Sequence, residues 1–391
     1  MISADPGEGR SENEIAYLTG VPSTLRTLLI PHNRLSSLTS FGHLRNLERI
    51  DMSNNHVDSV YQLACLVHLR ELKADNNQIR DLAGLANIDG LVRLSLKGNL
   101  IESIDFAATS WCAFFGLLAR RHPLTTLYRV RLETLNLSRN RISTILNVDR
   151  LQSLSQLNLG ASSPRRCVPP SLTTRTRPDY NELTHLDPPA PMPRLRILRL
   201  CSNQLDTLDI SFAPKLRTLF VDSARLGRID GADRVRKLEN LSVRDQSGSA
   251  LSVPFRFRGR IASSQPAHRT LPMHEVRDVR RLYLSGNPLP PSFPSAKFFN
   301  LVYLELAMCG LLTLPADLAT LVPNVRVLNL NFNFIDDLAP LAGLSRLRKL
   351  TVLGARLSKC RPVVEVLRTM DEIESVDLRC AVLPILLRAP H

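Results

Sequence analysis

One pattern, LxxLxLxxNxL, recurs along nearly the whole chain of 391 residues and limits its fold more than any other feature. In one clear copy the defining positions are filled by Leu47, Ile50, Met52, Asn55 and Val57. Self-similarity at a period of roughly 20 to 50 residues is typical of solenoid proteins, whose repeats stack and bury a continuous core. Fourteen copies are found, and they begin at Leu25, Leu47, Leu69, Leu91, Leu132, Leu154, Leu195, Leu216, Leu238, Val279, Leu301, Val325, Leu347 and Ile373.

Each part of the pattern has a physical meaning. The alternating apolar pair predicts a short strand with one face toward the core. The asparagine follows where the chain leaves the strand, and its amide can pair backbone groups that the turn would otherwise bury unpaired. One cysteine, Cys309, takes this position, so we expect it to be buried rather than reactive or metal-bound. The asparagines are Asn33, Asn55, Asn77, Asn99, Asn140, Asn181, Asn203, Asn287 and Asn333, and Ala224, Gln246, Cys309, Ala355 and Ala381 replace them in the other copies.

Between the copies, apolar residues recur at every third position, as at Val57, Val60, Leu63, Leu66 and Leu69. A period of three fits 3₁₀ turns better than a long α-helix. The spacing resembles the leucine-rich repeat signature. The predicted fold is therefore α/β: a leucine-rich repeat solenoid of about 14 repeats, shaped as a curved horseshoe, with a parallel β-sheet on the concave face and short 3₁₀ or helical turns on the convex face.

The solenoid is predicted over residues 25–378, and its two ends need caps that cover apolar edges. Residues 1–24 are predicted to form an N-terminal segment and cap. Within them, Ser11 to Glu14 fit a capping box before a short helix at Ile15 to Leu18. Near the other end, a cap helix is predicted over 362–370 because a proline stands at its start.

Three steps between copies measure 41 residues instead of about 22. Insertions are therefore predicted near 112–130, 161–179 and 254–272, where the chain is rich in Arg, Ser, Thr or Pro, as loops are. Their equal length leaves two explanations open: short introns retained in a conceptual translation, or natural insertions, which repeat proteins accept in loops. Residues 379–391 are predicted to form an irregular tail.

Charge and composition exclude several classes of protein. The insertions carry most of the formal net charge of +14, and arginines scattered over loops do not make the basic stripe that nucleic-acid binding needs. The longest apolar stretch, Trp111 to Ala119, is too short to span a bilayer. The first 16 residues contain four acidic side chains and no apolar run, so no secretory signal is predicted. Seven widely spaced cysteines without a CxxC motif predict reduced thiols.

No catalytic motif is present. The chain lacks a GxxxxGK[ST] loop, a GxGxxG turn after a strand and a GxSxG elbow, and its nine histidines have no metal-ligand spacing. We therefore predict that the protein is not an enzyme and has no catalytic residue, cofactor or metal. A binding role fits this kind of scaffold.

The predicted concave face becomes aromatic in its second half. Its outward strand positions are polar and mixed in charge at first, and aromatic and aliphatic side chains appear from Ile197 onward. Aromatic side chains and arginine are the usual anchors of protein interfaces. The alternative is that these are isolated exposed residues without a role. The residues predicted to bind a protein partner are Arg199, Phe220, Tyr283, Tyr303, Glu305 and Phe332.

Three segments carry a family resemblance: "DVRRLYLSGNPL" (278–289), "NLVYLELAMCGLLTLPADL" (300–318) and "VPNVRVLNLNFNFIDDLAPLAGLSRLRKLTVLGARL" (322–357). They resemble the leucine-rich domain of the fungal septation-initiation and mitotic-exit network scaffold, which is related to animal centriolin. The resemblance implies a non-catalytic scaffold in the cytoplasm, at the spindle pole body of the cytoskeleton. There it would hold a GTPase and its kinases and couple mitotic exit to cytokinesis.

A second resemblance leads to a different partner. Twenty-two-residue repeats with a helical cap are also similar to the leucine-rich regulatory subunits of protein phosphatase 1. That alternative implies co-purifying phosphatase activity and a nuclear pool. Both resemblances imply protein partners, neither assigns site residues by motif, and no oligomeric state follows from either.

Overall fold

The computed structural model describes residues 14–85, 88–106, 131–160, 181–246, 278–289, 293–294 and 296–379. The chain divides into two compact units, Met1–Leu216 and Arg217–His391, which are taken in turn below. The insertions predicted near 112–130, 161–179 and 254–272 lie outside the described residues, as do residues 380–391 of the predicted tail.

Among the described residues, the first unit contains a parallel series of seven three-residue strands that pair in chain order. Their middle residues are buried and lie opposite one another, as Leu28 does opposite Ile50 and Ile50 opposite Leu72. Because side chains alternate along a strand, the residues on either side of each middle position face outward. The strands are Thr27–Leu29, Arg49–Asp51, Glu71–Lys73, Arg93–Ser95, Thr134–Asn136, Gln156–Asn158 and Ile197–Arg199.

The second unit repeats this arrangement with seven more parallel strands. The register continues across a 41-residue step, since Asn240 pairs directly with Arg281. All fourteen predicted copies therefore have their strand at the expected place, and the predicted repeat fold is confirmed. The strands are Thr218–Phe220, Asn240–Ser242, Arg281–Tyr283, Tyr303–Glu305, Val327–Asn329, Lys349–Thr351 and Ser375–Asp377.

Short helical turns connect the strands, as the period of three predicts. In one repeat the backbone N–H of Leu63 donates to the carbonyl of Val60, Leu66 to Leu63, and Leu69 to Leu66. These i to i+3 bonds turn one apolar side chain per turn into the core, and all four residues are fully buried. In the described part of the chain, the 3₁₀ helices are Tyr61–Leu63, Ala83–Leu85, Val148–Arg150, Ala232–Arg234 and Ala339–Leu341, and a four-residue α-helix spans Leu318–Leu321.

Some connections form strands instead, which the sequence pattern did not predict. In the first unit Ser103–Asp105 pairs in parallel with Thr144–Leu146. β-Branched residues such as Ile104 and Ile145 favour this extended backbone over a helical turn. Two further short strands lie at Thr207–Asp209 and Arg228–Asp230.

The predicted asparagine ladder is confirmed. All nine asparagines are buried, and Asn55 is typical: its Oδ1 accepts from the Leu35 N–H at 2.9 Å, while its Nδ2 donates to the carbonyls of Ile30 and Met52. Gln246 makes the equivalent hydrogen bonds with a longer side chain. Its Oε1 accepts from the Leu226 N–H at 2.8 Å, and its Nε2 donates to the Val221 carbonyl.

Cys309 is a buried ladder residue, as predicted. Its Sγ lies 3.5 Å from the carbonyl oxygens of Leu284 and Ala307. A thiol cannot accept as an amide does, and the Leu289 N–H, which an amide at this position would bind, donates instead to the backbone carbonyl of Cys309 at 3.5 Å. Burial raises the pKa of the Cys309 thiol to about 12, so the thiol stays protonated.

The predicted helix at Ile15 to Leu18 is wrong. These residues have no helical turn; instead the Ile15 N–H donates to Asn33 Oδ1 at 3.1 Å, and the Ile15 carbonyl accepts from the Arg34 N–H. Asn55 and Leu35 make the same two kinds of contact one repeat later. The segment is thus held as the edge of a further repeat, and these long-range bonds outweigh its local helical pattern.

At the other end an α-helix spans Cys360–Leu367, so it begins two residues before the predicted 362–370 and places Pro362 in its first turn. Its buried face carries Val363 and Val366, and Met370 is buried just after it.

Candidate functional site

In each unit the seven repeat strands end on outward-facing residues, and these residues form a column. In the first unit the column is polar and internally neutralised: Lys73 Nζ donates to Asp51 Oδ2 at 2.9 Å across neighbouring strands. Burial opposes ionisation of Asp51, but hydrogen bonds from Ser53 and Lys73 outweigh it and lower the pKa of Asp51. This column therefore offers few uncompensated groups to a partner.

The second unit instead carries a cluster of aromatic and charged side chains around Glu305. The strands Arg281–Tyr283 and Tyr303–Glu305 pair in register, which places Tyr283 beside Glu305 and Arg281 beside Tyr303. The Tyr283 and Tyr303 rings lie with centroids 4.8 Å apart and planes tilted by 38°. We call Asp222, Arg244, Tyr283, Ser285, Tyr303 and Glu305 the Glu305 cluster.

Glu305 is held by donors on three sides. Arg244 donates from Nε to Oε1 at 2.7 Å and from Nη2 to Oε2 at 2.9 Å, the two-pronged geometry that suits a carboxylate. Ser285 Oγ donates to Oε1 at 2.7 Å, and the Tyr303 hydroxyl donates to Oε2 at 3.2 Å. The Glu305 side chain is only 12% exposed, so its charge is compensated inside the protein.

Arg244 joins three parts of the cluster. Its guanidinium lies 4.5 Å from the centroid of the Tyr283 ring, close enough for a cation–π interaction. Its Nη1 lies 3.6 Å from Asp222 Oδ2, and its backbone N–H donates to Asp222 Oδ1 at 2.9 Å. The arginine is thereby fixed between two carboxylates and an aromatic face.

These contacts shift the protonation equilibria of the cluster. Burial opposes ionisation of Glu305, but the hydrogen bonds from Arg244 and Ser285 outweigh it and lower the pKa of Glu305. Burial, together with the Glu305 charge, raises the pKa of Tyr303 to about 12, so this phenol stays a donor at neutral pH. The result is a fixed aromatic surface with its charges already paired.

A substitution that keeps the shape of Glu305 tests the charge pairing. We expect Glu305→Gln to lower the free energy of unfolding by about 1 kcal/mol at neutral pH, because the single oxygen of an amide cannot replace both carboxylate oxygens that accept from the Arg244 guanidinium. The folded-state pKa of Glu305 lies below its unfolded value of about 4.3, so the contribution exists above that value and is lost as pH falls through the folded pKa. Urea titrations from pH 7 to 3 should show the wild-type advantage shrinking below about pH 4; a pH-independent difference would contradict the assignment.

The structure brings together three of the six residues predicted from the sequence: Tyr283, Tyr303 and Glu305. Phe220 ends another strand of the same unit and is half-buried, whereas Arg199 ends a strand of the first unit. Phe332 lies outside the strands, in a turn with a left-handed φ of 57°, where its side chain is 58% exposed.

Sequence reasoning missed Arg244, Asp222 and Ser285. These residues stand two positions after the strand residues Ser242, Phe220 and Tyr283, in the next outward column. A search that also included the residue two positions after each strand would have found all three.

The described ranges hold neither a metal cluster nor a membrane-spanning helix. There, no group of three or more His, Cys, Asp or Glu side chains is arranged to hold a metal ion. No helix in the same residues has the length and apolar character needed to cross a membrane.

Comparison with known proteins agrees with this geometry. Residues 23–79 and residues 131–154 each match a leucine-rich repeat family. The chain folds as a leucine-rich repeat solenoid. Leptospira interrogans LRR protein LIC12759 has a similar structure, with a TM-score of 0.57 at 19% identity over 90% of both chains. An internalin (inlF) from Listeria monocytogenes gives a TM-score of 0.50 at 17% identity, covering 91% of this chain and 87% of that one. At such identities these structures show the fold alone.

One curated relative is similar to this chain over nearly its whole length. It is 35% identical over 367 residues, or 94% of this chain, to the septation initiation network scaffold protein cdc11 of Schizosaccharomyces pombe. The resemblance predicted from the three sequence segments is confirmed. The matched region makes up 30% of that relative, so the chain spans less than a third of its length.

Proposed function

We propose that this protein is a non-catalytic scaffold that binds a protein partner through the outward face of its second unit. Its role would lie in mitotic-exit and septation signalling at the spindle pole body, where it would help to organise a GTPase and its kinases. The relative named as a septation initiation network scaffold supports the scaffold role and the process. The repeat fold supports binding to proteins, since solenoids present extended surfaces for this purpose.

The Glu305 cluster is the observation that carries the proposal. Exposed strand positions gain little from aromatic residues unless something covers them, and tyrosine and arginine are frequent interface anchors. Tyr283, Tyr303 and Arg244 are already fixed by their contacts with each other and with Glu305. Ordering them on binding therefore costs little conformational entropy.

The test is a double substitution, Phe220→Ala with Tyr283→Ala, in the full chain carrying an affinity tag. Expressed in S. pombe, the wild-type chain should co-localise with a spindle pole marker and recover pole and network proteins from mitotic cells. We expect the double variant to lose most of this recovery, at least about tenfold, because truncated anchors cost about 1 to 4 kcal/mol each.

A matched control keeps this test specific. Phe299 and Leu312 belong to the same unit, are 60% and 62% exposed, and lie outside the strands. The variant Phe299→Ala with Leu312→Ala should bind and localise as the wild type does, and both variants should retain the wild-type melting curve. Undiminished recovery by the Phe220/Tyr283 variant would contradict the proposed surface, and co-purifying phosphatase activity without pole proteins would favour a phosphatase regulatory role.

A further inference from the structure

Four exposed cations lie on the outward side of the second unit beside the Glu305 cluster. Arg281 and Lys349 begin two strands of the sheet, and Arg280 and Arg326 precede the strands Arg281–Tyr283 and Val327–Asn329. Their backbones are tied together by the sheet, since the Arg280 carbonyl accepts from Val302 and the Val302 carbonyl accepts from Arg326. We call Arg280, Arg281, Arg326 and Lys349 the basic row.

The basic row lacks the compensation found at the same positions elsewhere. In the first unit Arg49 and Arg93 both bind Glu71 on the strand between them, at 3.3 and 3.4 Å. In the second unit the strands between the cations carry Val302, Tyr303 and Val327 at those positions. Within the described residues, no cation of the basic row has a carboxylate within 4.0 Å or a side-chain hydrogen bond.

We infer that the basic row is where the proposed partner docks an extended acidic segment of its chain, with aspartate or glutamate at every third or fourth residue. This rests on the proposed function and specifies the partner's chemistry. Cations on alternate strands are about 9.6 Å apart, and three residues of extended chain span about 10 Å. Carboxylates at that spacing would meet Arg280 and Arg326 in turn, while the residues between them would contact Tyr303 and Val302.

A polypeptide fits this face better than a nucleic acid does. Glu239 and Glu374 precede the strands Asn240–Ser242 and Ser375–Asp377 of the same sheet, and their side chains are 45% and 67% exposed. A nucleic acid carries a phosphate on every nucleotide and would meet these carboxylates as well as the cations. A peptide can place its carboxylates over the basic row alone, and charge complementarity of this kind fixes register and orientation.

The test measures binding of a fluorescent peptide, Glu-Ala-Phe-Glu-Ala-Phe-Glu-Ala-Phe-Glu, to the full chain by anisotropy at low and moderate salt. We expect Arg280→Glu with Arg326→Glu to weaken binding at least about tenfold, because two attractions become repulsions. Binding to the wild type should fall as salt rises, since exposed charges are screened. A peptide of the same composition with its four glutamates adjacent should bind several times more weakly.

The control changes the same amount of charge elsewhere in the unit. Lys297 and Lys359 are both exposed and lie outside the sheet, and the variant Lys297→Glu with Lys359→Glu should bind the peptide within about twofold of wild type. Equal losses in the two variants, equal binding of the clustered peptide, or tighter binding of a single-stranded oligonucleotide would each overturn the inference. If the Phe220/Tyr283 variant loses its cellular partner while the Arg280/Arg326 variant keeps it, the acidic-segment inference fails and the proposed function stands.

Discussion

Replacing Leu137 with alanine is expected to lower the free energy of unfolding by about 2 to 5 kcal/mol. Leu137 directly follows the strand Thr134–Asn136 and is fully buried. It belongs to a row of core residues in which Leu96 and Leu159 occupy the same position of the neighbouring repeats. Backbone bonds hold these repeats at a fixed spacing, so the core cannot collapse fully around the missing atoms and a cavity remains.

Leu38→Ala is the matched control, because Leu38 lies in the same unit and is 88% exposed. This substitution should change the free energy of unfolding by no more than about 0.5 kcal/mol. Urea titrations followed by circular dichroism compare the two variants with the wild type. If Leu137→Ala unfolds like Leu38→Ala, the buried rows have been placed in the wrong register.

The repeat core could be predicted from the sequence because each role within it depends only on one repeat and its neighbour. The Asn55 side chain bonds only to its own turn and to the preceding repeat, and the spacing of the pattern specifies both. Cys309 could be placed in the ladder for the same reason, although its side chain cannot act as the amide does.

The Glu305 cluster could not be predicted in full, because its decisive contact joins residues 61 positions apart. Glu305 ends one strand and Arg244 follows another, the strand Asn240–Ser242, and the strand Arg281–Tyr283 lies between these two. The columns bring the two residues to the same face, but only the reach of the Arg244 side chain over the Tyr283 ring joins them. Side-chain reach of this kind depends on rotamers, which the repeat pattern does not specify.

The N-terminal error has a different cause. Ile15 to Leu18 were predicted to be helical from a short local pattern, and a helix of that length is marginal without tertiary support. The available support came from Asn33, whose Oδ1 accepts from the extended Ile15 backbone. A ladder asparagine at the first repeat therefore indicates that the segment before it will be used as a repeat edge.

Replacing Asn140 with alanine is expected to lower the free energy of unfolding by about 3 kcal/mol, since each buried polar group left unpaired costs about 1 to 3 kcal/mol. Asn140 is fully buried. Its Nδ2 donates to the carbonyls of Leu96 and Leu137, both at 2.9 Å, and its Oδ1 accepts from the Ile101 N–H at 3.2 Å. Alanine would leave these buried backbone groups without their hydrogen-bond partner.

The same unit offers an asparagine that separates this effect from loss of any amide. Asn46 is exposed and donates only to the Ser23 carbonyl, at 3.0 Å, within the described residues, so Asn46→Ala should change the unfolding free energy by less than about 0.5 kcal/mol. Hydrogen exchange gives a second measurement: the Ile101 N–H should lose protection in Asn140→Ala and keep it in Asn46→Ala. Equal stability of the two variants would mean that water or a shifted backbone satisfies the ladder, and the asparagines would then not be what holds adjacent repeats together.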